Sequence, residues 1–414
     1  MKTVAISGKR LSTRIEKLGE IGRTKDHGVQ RLALSKEDRQ ATILVSEWMV
    51  EAGMTVSHDH FGNLIGRKEG RNPDLKPVMI GSHIDSVRNG GKFDGIIGVL
   101  AGIEIVQAIS DASLAHEHPI EVVAFCEEEG SRFHDGLFGS RGMIGKVTEE
   151  DLQKVDDNQV TRYEALKDFG FGVDPDLIGE SVRQAGDIKH YFEIHIEQGP
   201  FLGSNNYPVG IVSGIAGPSW FKVKLTGEAG HAGTVPMSLR KDPMIGAAEV
   251  IKEVEELCMA DRNAPTVGTI GRIASFPGGS NIIPESVEFT LDIRDNELER
   301  RNRIIEKIVD KIKQVSKNRG LNYEIERNVD VAPVKCSGNL VKSLKEASEQ
   351  LGVDAPVMVS GAGHDAMLLA AITEIGMVFV RCRNGISHQP KEWADTEDIV
   401  LGTKILYEAV LKHI

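Results

Sequence analysis

Cysteine is scarce. There are four in 414 residues, at positions 126, 258, 336 and 382, and no two form a C-x-x-C pair. That spacing excludes a disulfide framework and a zinc ribbon, and leaves reduced thiols that belong mostly to the core. No apolar run approaches the roughly 20 residues needed to cross a bilayer, and Met1 to Leu11 lacks the apolar stretch of a secretory signal. Positive charge is in deficit: 49 Lys and Arg against 61 Asp and Glu leave a net charge of -12. That balance argues against nucleic acid or an anionic membrane surface as a main partner. Internal repeats, low-complexity tracts and long charge runs are missing as well. What remains is the composition of a globular protein long enough for two domains, expected in the cytoplasm.

The order of apolar patterns divides the chain. Leu11, Ile15 and Leu18, then Ile43, Leu44, Trp48 and Met49, recur at helical spacing, with Gly19, Gly22 and Gly28 between the two groups. Short apolar runs at Leu64 to Ile65, Val78 to Ile80 and Ile120 to Cys126 then alternate with helical stretches such as Ile96 to Ile109, which predicts an α/β sheet covered by helices. Lys146 to Gly186 is polar and broken by glycine and proline, so short helices and loops without strong chemistry are expected there. Tyr191 to Glu197 reads as a strand again.

From Gly214 the pattern is strand, helix, strand, strand, helix, strand. Phe221, Val223 and Leu225 begin it, Thr266 to Ile273 gives the second strand, and Leu321 to Ile325 closes it. That order is the split βαβ (βαββαβ, ferredoxin-like) sandwich, an α+β domain inserted into the first. The expected boundaries are 1–213 and 329–414 for the outer domain and 214–328 for the insertion.

Chemistry concentrates where strands end. Gly81 to Gly95 crowds His83, Asp85 and Asp94 between an apolar strand and an apolar helix, at the sheet edge where α/β proteins bind ligands. If the strand geometry persists, Asp85 lies on the same side as His83 and can take the other N–H of its imidazole. Glu127, Glu128 and Glu129 follow the strand Ile120 to Cys126. Three adjacent carboxylates repel one another, so they either splay into water or gather around a cation. His195 and His388 also fall at or just after strands.

His83, Asp94, Glu129, His195 and His388 form a nitrogen and carboxylate donor set without cysteine, which suits Zn, Mn, Co or Ni. Five donors are too many for one open catalytic zinc. With one bridging carboxylate they suit two divalent ions sharing a water-derived nucleophile. In the insertion, Thr290, Asp292 and Arg294 fall on the strand face opposite Val287, Phe289, Leu291 and Ile293. A guanidinium there is suited to grip a carboxylate, or to sit in a surface ion pair.

Six stretches carry a family resemblance: Gly81 to Gly95, Glu127 to Phe133, His195 to Gly199, Gly230 to Pro236, Gly361 to Asp365 and Gly385 to His388. As a set they are similar to the M20 family of metal-dependent amidohydrolases and peptidases. Within it they resemble the branch of N-carbamoyl-L-amino-acid hydrolases, β-ureidopropionases and allantoate amidohydrolases. The resemblance implies a mixed-sheet metallohydrolase domain with a lid and dimerisation domain inserted, and a homodimer. It implies that Asp94 bridges two ions, with His83 and His195 on one and Glu129 and His388 on the other, while the pairing of each histidine with its ion stays open. Glu128 would be the general base and Asp85 the orienter of His83. A base should be a carboxylate beside the metals that is not itself a ligand, which agrees.

By the same resemblance His231, Asn281 and Arg294 reach the substrate, with His231 stabilising the oxyanion, and Gln198 and Gly361 complete the pocket. The implied reaction is hydrolysis of the ureido C–N bond of a small N-carbamoyl-L-amino acid bearing a carboxylate. Allantoate hydrolysis is the nearest alternative, and an M20 peptidase or a catalytically dead metal-binding scaffold lies further off.

Overall fold

A computed structural model describes residues 6–414. Of the Met1 to Leu11 stretch, the first five residues therefore lie outside the described residues. The helix α1 (Gly8–Gly19) starts at Ser7, whose hydroxyl accepts from the Arg10 N–H, and buries Leu11, Ile15 and Leu18. The helix α2 (Lys36–Glu51) is capped the same way by Ser35 and buries Ala41, Thr42, Val45, Trp48 and Met49. Ile43, expected on that apolar face, is instead 45% exposed. It lies two residues from Ala41 and Val45 on a helix, hence on the opposite side.

Two compact units divide the chain. The first comprises the described residues up to Ser213 with Cys336–Met358 and His364–Ile414; the second is Gly214–Lys335 with Val359–Gly363. In the first, the strands β1 (Thr55–His58), β2 (Leu64–Lys68), β3 (Val78–His83), β4 (Ile120–Phe125), β5 (His190–Ile196) and β6 (Val209–Ile215) join the late strand Glu374–Val380 in one sheet. The order is β1-β2-β4-β3-β5, then Glu374–Val380, then β6. β4, β3, β5 and Glu374–Val380 are mutually parallel, while β1, β2 and β6 pair antiparallel.

This arrangement positions the site. Four adjacent parallel strands all end at one edge, so the loops after His83, Phe125, Ile196 and Val380 converge there. β3 and β4 are buried along their whole length, as expected of parallel strands covered on both faces. The helix α3 (Ile96–Asp111), which covers them, is buried nearly all round. It begins at Gly95, whose φ of 68° is left-handed, and a Cβ there would overlap the His83 ring. Glycine thus lets the chain turn tightly against that imidazole.

The second unit has a sheet in the order Ile273–Phe276, Ser286–Asp295, Gly217–Thr226, Asn322–Asp330, with every neighbour antiparallel. The helices Pro243–Met259 and Leu298–Arg319 pack on it through Val250, Val254, Ile308 and Ile312 against Val223, Leu225, Phe289 and Leu291. Asp242 caps the first helix, and Gly320, left-handed, ends the second. The expected strand Thr266 to Ile273 is two pieces, Val267–Thr269 and Ile273–Phe276, both paired with Ser286–Asp295. The last strand runs from Asn322 to Asp330, past position 328. Its exposed residues gave no apolar alternation from which to read its end. Among the described residues, no helix is long and apolar enough to cross a membrane, and all four cysteines are buried free thiols.

Candidate active site

Asp94 is the centre of the cluster. Its Oδ1 lies 3.0 Å from His195 Nε2 and its Oδ2 3.0 Å from His388 Nε2, so one carboxylate faces two imidazoles through different oxygens. Gln198 Nε2 and Ser387 Oγ also donate to Oδ2, at 2.9 and 3.1 Å. His83, Asp94 and His195 form one group whose candidate ligand atoms lie within 4.8 Å of one another, and Asp94, Glu129 and His388 form another. All five expected donors are therefore gathered, in two triads that share Asp94.

The electrostatics require positive charge here. Burial alone would raise the Asp94 carboxyl, but the adjacent His195 and His388 imidazoles outweigh it and hold Asp94 well below its ordinary value. His388 is raised to about 9, chiefly by Asp94. Burial pushes Glu129 up to about 7, with the Asp94 charge adding to it, and pushes Glu128 well above the usual carboxylate range. Such a cluster is stabilised by protons or by cations.

The donor chemistry fits divalent ions. Asp94 Oδ1 and Glu129 Oε1 are buried and accept no hydrogen bond. Nδ1 of His83 faces the Asp85 carbonyl at 3.1 Å, and Nδ1 of His195 faces the Ile196 carbonyl at 3.0 Å. A carbonyl can only accept, so each Nδ1 carries the proton and each Nε2 keeps its lone pair toward the cluster.

The Asp85 side chain also binds backbone. Its carboxylate is 3.5 Å from His83 Nδ1, and it accepts the backbone N–H groups of Glu128 at 3.2 Å and Glu129 at 3.3 Å. One buried side chain thus ties the ends of β3 and β4 together. Glu128 Oε2 lies 3.6 Å from His83 Nε2, and Glu129 Oε2 3.6 Å from His388 Nε2.

Glu127 departs from the expectation for the acidic triplet, since it joins neither water nor the cluster. Its φ of 54° turns it away from its neighbours. There it accepts from Arg162 Nε at 2.9 Å and from the Phe133 N–H at 2.9 Å, with both charged side chains fully buried. Arg162 comes from the polar stretch read as having no strong chemistry. Its signal was hidden because an arginine in a capped helix resembles any surface arginine.

Glu193 is a second residue that the sequence reading passed over. It sits two residues before His195 on the same face of β5 and accepts from Ser82 Oγ at 2.8 Å, Tyr191 Oη at 3.1 Å and the Ala366 N–H at 3.1 Å. It also groups with His195 and His364. Both its oxygens are engaged by these donors. A glutamate inside the apolar run Tyr-Phe-Glu-Ile-His-Ile was the available clue.

The remaining expected residues lie in the second unit. His231 pairs with Ile282 in a two-stranded ribbon, and the Ala232 N–H donates to the Asn281 carbonyl at 2.9 Å, so His231 and Asn281 are neighbours. The Gly233 N–H donates to His231 Nδ1 at 3.0 Å, which places the proton of the neutral ring on Nε2. Arg294 donates to the Asp292 carboxylate from Nε and Nη2, and from Nη1 to the Gly361 carbonyl at 2.8 Å.

Fold and site together define a metal-dependent hydrolase. The chain belongs to peptidase family M20/M25/M40, whose model matches residues 79–412. It is 78% identical to an N-carbamoyl-L-amino-acid amidohydrolase of Pseudomonas sp. (strain NS671) over 414 residues, the whole of both chains. An allantoate deiminase of Arabidopsis thaliana is 36% identical, covering 93% of this chain and 78% of its own. Among solved structures, a hydantoinase/carbamoylase family amidase from Burkholderia multivorans superposes with a TM-score of 0.93 at 36% identity, over 99% of this chain and 98% of that one.

Proposed function

We propose that this protein is a two-metal hydrolase that converts an N-carbamoyl-L-amino acid and water to the amino acid, ammonia and carbon dioxide. The observation that carries the hydrolytic chemistry is the pair of ligand triads sharing Asp94, with the carboxylate of Glu128 beside them. The likeness to the Pseudomonas enzyme along the whole chain favours the carbamoyl substrate.

In this reading His83, Asp94 and His195 would hold one divalent ion, and Asp94, Glu129 and His388 the other, as Zn, Mn, Co or Ni. Bound ions supply Lewis-acid polarisation of the carbamoyl carbonyl and make water a better acid. Glu128 takes the proton of the attacking water at Oε2 and returns it to the leaving nitrogen. His231, with its N–H at Nε2, donates to the developing oxyanion. Arg294 offers its fork to the substrate carboxylate, with Asn281, Gln198 and Gly361 completing the pocket. The second unit serves as lid and dimerisation domain of a homodimer, and buried free thiols accord with a cytoplasmic enzyme.

Allantoate is the second reading, favoured by the Arabidopsis relative. Ammonia release by the manganese-loaded protein, measured on an N-carbamoyl-L-amino acid, its D-enantiomer and allantoate, separates the two. The expected result is preference for the L-carbamoyl compound. Preference for allantoate overturns the substrate assignment and keeps the metal site.

A further inference from the structure

Glu392 is buried, four residues after His388, and its carboxylate engages three backbone N–H groups. Oε1 accepts from Phe93 at 2.9 Å and from Asp94 at 3.1 Å, while Oε2 accepts from His388 at 3.3 Å. The loops it joins lie almost 300 positions apart in sequence. Their approach is reinforced by Phe93 packing edge-on against Trp393, with ring centroids 5.4 Å apart, and by Ser387 Oγ donating to the Asp94 carboxylate. His388 has a left-handed φ of 58°, a conformation that persists in a non-glycine residue only when its surroundings hold it. Space for the carboxylate is made at Gly91, where a Cβ would overlap the Glu392 side chain.

We infer that Glu392 is a positioning residue that holds Asp94 and His388 in register for the ion shared by Asp94, Glu129 and His388. The inference rests on the two-metal reading above. His83 and His195 are held by β3 and β5, whereas His388 stands on a loop, so its ion depends on this clamp more than the other does. Groups that orient ligands from behind commonly alter metal affinity roughly 10- to 100-fold when removed.

The test is titration of metal-free protein with Mn2+ by calorimetry, with bound metal counted after desalting and the melting temperature of each metal-free form recorded. In Glu392→Gln the amide oxygen still serves Phe93 and Asp94, but its NH2 meets the His388 N–H. In Gly91→Ala the carboxylate is retained and displaced. Both variants should keep one Mn2+ near wild-type affinity and bind the second roughly 10- to 100-fold more weakly, with metal-free melting temperatures close to wild type. Wild-type affinity at both ions in both variants overturns the inference. So does a fall in affinity that only accompanies a collapse of the metal-free melting temperature, since Glu392 would then be a general structural residue. Wild-type protein that bound no Mn2+ would overturn the two-metal reading itself.

Discussion

At the scale of single residues, the proposed base and its neighbours show how environment divides like side chains into different roles. Glu127 is neutralised by Arg162, Glu129 faces His388, and Glu128 is left beside His83 with burial pushing its carboxyl up. Glu128→Gln keeps the shape and leaves the ligand set intact. We expect unchanged bound metal and kcat lowered by roughly 10²- to 10⁴-fold, the contribution usual for a general base; a kcat within tenfold of wild type, at full metal loading, would remove Glu128 from that role. Arg294 already rests on Asp292 and the Gly361 carbonyl, so its fork is oriented before any carboxylate arrives. Arg294→Ala should raise KM by roughly 10- to 100-fold, the worth of a charge-assisted bidentate contact. Arg294→Lys should restore little, because a point charge lacks the fork. An unchanged KM in Arg294→Ala would argue against the carboxylate grip.

At the scale of elements, the loop after β4 depends on a buried ion pair. Arg162 donates to Glu127, to the Asp151 carbonyl and to the Asp135 carbonyl, and its guanidinium lies over Phe138 at 4.3 Å. Removing one partner leaves an uncompensated charge in the interior, which typically costs about 3–5 kcal/mol. Arg162→Met is expected to lose about that much by urea unfolding, and Glu127→Gln combined with it should recover part of the loss. If the double variant were no better than the single one, the pair would not be the source. The left-handed backbone at Glu127 ties this element to the chemistry, because the turn it makes sends Glu128 and Glu129 toward the cluster.

At the scale of the whole molecule, stability should carry a signature at acid pH. His58, on the edge strand β1, stacks on Phe171 with ring centroids 4.4 Å apart, and burial lowers its pKa to about 4. The folded protein keeps this ring neutral while the unfolded chain takes up the proton below about pH 6.5. Its contribution is therefore fully present above that pH and is lost as pH falls toward 4. His58→Phe keeps the stack and cannot titrate. Between pH 7 and pH 5 the variant should lose less stability than wild type, by on the order of 2 kcal/mol. Parallel chemical denaturation at the two pH values measures the difference, and equal losses would exclude His58.

Apolar periodicity and side-chain chemistry are local properties, so the alternation of strands and helices, the βαββαβ insertion and the five donors were legible in the chain before it folded. His83, Asp94, Glu129, His195 and His388 stood out because each falls at a strand end or in the loop that follows a strand. Which of them meet was decided only by folding, because Asp94 approaches His195 and His388 across separations of 101 and 294 positions that no local pattern encodes. Folding likewise settled that Glu127 leaves the acidic triplet, that Asp85 ties two strand ends and that Glu392 reaches the Asp94 loop. In each case the partner is a backbone N–H or a distant guanidinium, and a carboxylate does not announce in sequence which donor the fold will bring to it.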